Sequence, residues 1–68
     1  MTAEQFEALA TLLRSRGSSR EAARLVLVEG YARKDAAQAT GLEGASVSGA
    51  VKRFKTADAL IKAAYGKE

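Results

Sequence analysis

The sequence predicts an all-α fold, a small bundle of about five helices, from the period of its apolar residues. Three observations point there. Apolar positions recur at i, i+3, i+4 spacing. Glycines fall between the periodic segments and mark the breaks. Proline is absent, and neither a repeat nor a low-complexity tract interrupts the pattern.

The first helix is expected from Ala3 to about Ser15. Thr2 is a good N-cap, and Gln5 stands three residues on, completing a capping box. Phe6, Leu9, Ala10 and Leu13 form one apolar stripe, with Leu12 at its edge. Glu4 and Glu7 suit the positive end of the helix; Arg14 and Arg16 suit the other. Gly17 is its expected stop. In "SSREAARLVLVEG" a second helix opens, with Ser18 and Glu21 again at capping-box spacing. Ala22, Leu25, Val26 and Glu29 trace its turns, and Gly30 is its natural end. Leu25 to Val28 has a strand-like composition, but the cap, the alanines and the lack of a second strand favour a buried helix. A third, short helix is expected from Ala32 to Thr40, ended by Gly41. A fourth runs from Gly44 through Phe54. A break near Thr56 then separates a fifth, carrying Ala57, Leu60, Ile61, Ala64 and Tyr65 at helical spacing. Gly66 and the charged end are expected to fray.

With 68 residues the chain forms one small domain, and its 47% hydrophobic content sets it apart from a disordered tail. Such a chain buries only about 60% of its unfolded surface. There is no Cys and no His, so disulfides and the usual soft metal ligands are excluded. Idealised helices, a partner subunit or both remain as routes to stability, so oligomerisation is expected, and no cofactor is. The same absence removes Cys and His from any catalytic arrangement, and the carboxylates are scattered, so no enzyme is expected. No apolar run of about 18 residues suggests a membrane span. The acidic start, Glu4 and Glu7, is unlike a secretory signal. These features predict a cytoplasmic protein.

Charge is distributed unevenly. The net charge is a modest +3. From Gly44 to Lys67, however, Lys52, Arg53, Lys55, Lys62 and Lys67 face the single acid Asp58. Such an asymmetry favours a polyanion partner on the second half. A solvated face with surplus lysine has the same composition.

Two short helices joined at a glycine are the parts of a helix-turn-helix. Ala36 and Ala37 are small where the second helix crosses closely. Gly41 tolerates the left-handed conformation the turn needs. Leu42 follows as the plug, and Val47, Ala50, Val51 and Phe54 supply the buried stripe. A plain αα-corner needs similar residues; the outward face separates the two. Ala45, Ser46, Ser48, Gly49, Lys52, Arg53 and Lys55 point outward, small or polar first and basic after. A slim leading face suits a major groove ~12 Å wide, entered by the N-terminal turns. Lys52, Arg53 and Lys55 then reach phosphates, as do Arg33 and Lys34 at the start of the preceding helix. Ser46 and Ser48 are candidate hydrogen-bond partners of base edges. Gly49 costs about 1 kcal/mol relative to Ala in a helix interior. No core argument explains it, whereas close backbone approach to DNA does.

The stretches "MTAEQFEAL" (Met1 to Leu9), "ARLVLVEGYARKDAAQATGL" (Ala23 to Leu42) and "GASVSGAVKRF" (Gly44 to Phe54) resemble the KorA (TrfB-type) plasmid repressors. The most specific parts are "LVEG", the Ala-Gly-Leu turn and "VSGAVKRF". The resemblance implies an all-helical DNA-binding domain whose second motif helix reads a palindromic operator as a homodimer. It also implies a repressor of plasmid or mobile-element genes. The chain departs from the family pattern at Gly44 and Gly49, where larger polar side chains are expected, and at Glu43, where a hydroxyl N-cap is usual.

The expected division is residues 1–55 for DNA binding and 56–68 for a C-terminal helix that dimerises through Leu60, Ile61, Ala64 and Tyr65. The same residues also suit completion of the monomer's core. Double-stranded DNA and a second copy are the expected partners, with no small-molecule pocket evident. A helical protein–protein adaptor is the alternative; a membrane-surface helix from Thr56 to Lys67 ranks last, because it has few bulky anchors.

Overall fold

The computed structural model describes residues 1–65, which form four helices. They are α1 (Ala3–Leu13), α2 (Gly17–Leu27), α3 (Arg33–Thr40) and α4 (Gly44–Tyr65). The all-α class holds, but the helix count drops by one.

The α1 cap is as expected. The Gln5 N–H donates to Thr2 Oγ1 at 3.1 Å, and the Thr2 N–H donates to Gln5 Oε1 at 3.0 Å. Its end differs. The helix stops at Leu13, and Arg14 takes the left-handed conformation at φ 54°. The Ser15 N–H donates to the Ala10 carbonyl at 2.9 Å, and the Arg14 N–H to the Thr11 carbonyl at 3.2 Å. Those are the two bonds of a Schellman ending, with arginine where glycine is usual. An L-residue there costs about 1–2 kcal/mol. Arg14 and Arg16 therefore lie beyond the helix rather than in its last turn.

The second capping box is absent. α2 begins at Gly17, and Arg16 precedes it without a side-chain cap. Glu21 is engaged elsewhere: Arg24, one turn along, holds its carboxylate. α2 ends at Leu27, before Gly30 turns the chain at φ 82°. α3 starts one residue later than expected, with Ala32 outside it.

The break at Thr56 does not occur. α4 is continuous for 22 residues. Thr in a helix costs only about 0.7 kcal/mol or less. The stripe of Phe54 continues in phase through Ala57 and Ile61, and both pack on the α1 side of the core. That tertiary contact outweighs the local propensity. Gly66 and Lys67 lie outside the described residues.

Two apolar clusters stack along α4. One joins Phe6, Leu9 and Ala10 of α1 to Ala23, Ala50 and Phe54. The Phe6 and Phe54 rings stack with centroids 4.6 Å apart and planes 6° apart. The other joins Ala22, Leu25, Ala36, Val47 and Val51. Leu27 touches both. Among the described residues no polar or charged side chain is buried, so every charge faces solvent or a partner.

Candidate nucleic-acid interface

The α3–α4 corner is built as a helix-turn-helix. Ala36 is fully buried beneath α4, and Ala37 and Leu42 pack half-buried on the same cluster. Gly41 sits at φ 76°, where its N–H caps α3 by donating to the Ala37 carbonyl at 2.9 Å. Thr40 tightens the same turn, its hydroxyl donating to the Ala36 carbonyl at 2.8 Å. Val47, Ala50, Val51 and Phe54 are all buried, which fixes which side of α4 faces out.

Outward lie Ala45, Ser46, Gly49, Lys52, Arg53 and Lys55, all exposed, with Ser48 half-buried toward α3. A Cβ added at Gly49 would meet no atom within 4 Å. Packing within the chain therefore does not explain this glycine. A ridge of Lys52 and Thr56 divides two grooves. On one side Arg33 of α3 comes together with Ser48, Lys52 and Lys55. On the other Leu13 of α1 comes together with Gly49, Lys52, Arg53 and Leu60. Lys34, Ala45 and Ser46 are exposed but line neither groove. Leu13 is a neighbour that spacing alone did not place here; the signal was its position at the end of the α1 stripe, beside the basic turn "RSR".

The cations fall into two sets. Glu7 pairs with Arg20 across α1 and α2, and Glu21 with Arg24. Arg24 also reaches Glu29 at 2.9 Å, and Lys62 reaches Asp58 at 3.1 Å. The Arg24 hydrogen bond holds the Glu21 carboxyl below its ordinary value, and Glu21 in turn raises the Arg24 guanidinium. Arg33, Lys34, Lys52, Arg53 and Lys55 form no ion pair among the described residues. No described acid compensates their charge.

The family model of the TrfB plasmid transcriptional repressors matches residues 1–66. The chain belongs to this family. It is a DNA-binding transcriptional repressor of this general type, and the family is regulatory rather than catalytic. No curated protein and no solved structure matches the repressor. Among the described residues, no group of His, Cys, Asp or Glu is placed to hold a metal ion. No helix among them is long and apolar enough to cross a membrane.

Proposed function

We propose that the repressor binds a palindromic operator as a homodimer, with the first turns of α4 in the major groove. The observation that carries this is the convergence of Arg33, Lys52 and Lys55, unpaired by any described acid, around the Ser48 side of α4. Ala45, Ser46, Ser48 and Gly49 form the leading face, slim enough for a helix to approach base edges. Ser46 and Ser48 offer hydrogen bonds to bases, and Gly49 admits the sugar-phosphate chain or a base edge close to the backbone. Lys34 and Arg53 add phosphate contacts at the margins. Residues 1–55 hold this reading unit. Such a protein works in the cytoplasm, on plasmid or mobile-element DNA.

The dimer contact uses the remainder of α4. Leu60 is 65% exposed and Tyr65 78%, far more than large apolar side chains of a finished core. Ala64 is exposed beside them, and half-buried Ile61 anchors the strip to the monomer. An isologous contact there covers the strip and pairs two reading heads. Family membership supports both parts of the reading. Selection of bound duplexes from a random pool tests it. The expected result is an inverted repeat with half-sites about one helical turn apart, ~34–36 Å. A single unpaired half-site overturns the dimer, and a pool that stays random overturns sequence reading by α4.

A further inference from the structure

The grooves on either side of the Lys52–Thr56 ridge have different walls. One is closed by Arg33, at the start of α3. The other is closed by Leu13, the last residue of α1, beside Gly49 and Arg53. The chain leaves Leu13 directly into Arg14, Ser15 and Arg16. Arg14 and Arg16 are exposed and take part in no ion pair among the described residues. Nearby arginines on α2 behave differently: Arg20 and Arg24 are both paired with glutamates.

Arg14 is also the one non-glycine at positive φ among the described residues. Gly17, three positions on, holds φ 74° without strain, so the turn has access to glycine and still places arginine at its tightest point. The Schellman hydrogen bonds account for the left-handed turn but not for an arginine side chain in it, and that side chain makes no hydrogen bond or ion pair among the described residues, which leaves it free for an external anion.

We infer that the α1–α2 turn is a second phosphate-contacting site, in which Arg14 and Arg16 grip the DNA backbone on the edge of the major groove opposite to the one met by Arg33. A helix lying in the major groove has a sugar-phosphate chain on each side of it. The ridge of α4 has a cation on each side to match: Arg33 with Lys55 on one, and Arg53 on the other, where Leu13 leads directly into Arg14, Ser15 and Arg16. The two walls fix how far α4 rolls about its own axis, because a roll toward one chain pulls away from the other. Phosphate contacts of this kind set register and orientation without reading sequence. The inference rests on the DNA-binding reading above and adds to it a site on different helices.

The test is a salt titration of binding to the selected operator duplex and to a random-sequence duplex of equal length. The double variant Arg14→Gly, Arg16→Gln is compared with the wild type and with Arg14→Lys, Arg16→Lys. Each lost phosphate contact is expected to flatten the slope of log K against log salt by about 0.9. Between 50 and 200 mM salt that is roughly a threefold to fourfold change per contact. The loss is expected on both duplexes, with recovery in the lysine variant. Arg14→Gly alone is expected to raise the thermal midpoint, since glycine fits the left-handed position, so weaker binding does not reflect a weaker fold. Ethylation interference on the operator is expected to lose its signal at one edge of the groove only. A wild-type slope in the double variant, or loss of signal on both edges alike, overturns the inference while the DNA-binding reading stands. Failure of the wild type to bind either duplex sinks both.

Discussion

Helix α2 and the α3–α4 corner of this small bundle handle charge in opposite ways. On α2, Arg20 and Arg24 each sit against a glutamate, and Arg24 holds two. On α3 and the first half of α4, five cations stand without a described acid, although the bundle beneath them is equally apolar. Both sides are solvent-exposed, so burial does not account for the difference. Exposed ion pairs add little to stability. What they do is cancel charge locally. The contrast teaches that, among the described residues, charge is cancelled on α2 and on the second half of α4, and is kept on the surface proposed to meet DNA.

The contrast depends first on a rigid frame. Phe54 stacks on Phe6 and is buried in the cluster that joins α1, α2 and α4. Phe54→Ala is expected to cost about 3–5 kcal/mol. In a domain this small that approaches the whole stability. Urea unfolding followed by circular dichroism checks it, and a loss under about 1 kcal/mol would show that the Phe6–Phe54 stack is not what holds α4 on α1.

Next comes Gly49, which lines the groove on the Leu13 and Arg53 side of α4. Because its Cβ position is open, Gly49→Ala is expected to stabilise the fold by about 1 kcal/mol. Operator affinity should fall all the same. A stabilised variant with unchanged affinity and preference removes Gly49 from the interface.

A sharper comparison sets one cation of each side against the other. Lys52→Ala is expected to weaken binding to every duplex and to flatten the salt slope by about 0.9. Arg24→Ala is expected to leave that slope alone, because its charge is already cancelled by Glu21 and Glu29. Equal effects from the two would erase the distinction between the faces.

The smallest effect is acid-dependent. Glu21 is held below its ordinary value of 4.5, chiefly by the hydrogen bond from Arg24. A depressed carboxyl stabilises the fold above its unfolded value and loses that contribution as pH falls through the folded one. Thermal midpoints should therefore drop as pH falls below about 4.5, and Glu21→Gln should make that drop shallower. An unchanged profile in the variant would show that the pair does not contribute.

Much of the frame was legible from spacing. The Thr2–Gln5 cap, the α1 stripe, the Gly41 turn and the α4 stripe from Val47 to Phe54 are all local or periodic features, and those leave marks in a sequence. What spacing missed was decided by contacts between distant segments. Thr56 reads as a break only until Ala57 and Ile61 are seen to rest on α1. Ser18 is misread as a cap for a local reason instead: Arg24, three residues beyond Glu21 on the same helix, competes for its carboxylate. Ala23, fully buried between α1 and α4, carries no signal of its own among so many alanines. At the candidate interface the sequence named the cations, but which of them converge depends on how α3 crosses α4. Arg33 meets Ser48 and Lys55 there, and Lys34 does not.

The unbroken α4 has a consequence for operator geometry. Its 22 residues span about 33 Å at 1.5 Å each. In the proposed dimer, the seam at Leu60 and Tyr65 and the leading edge at Ser46 and Ser48 belong to one stiff rod, with no hinge between them. Half-site spacing is then written in helical phase. Removing one residue between Phe54 and Leu60 turns the seam by about 100° relative to the leading edge, and inserting seven there restores the phase to within about 20° while lengthening the rod by about 10 Å. The rod acts as a ruler, and the DNA it can measure changes in steps rather than continuously.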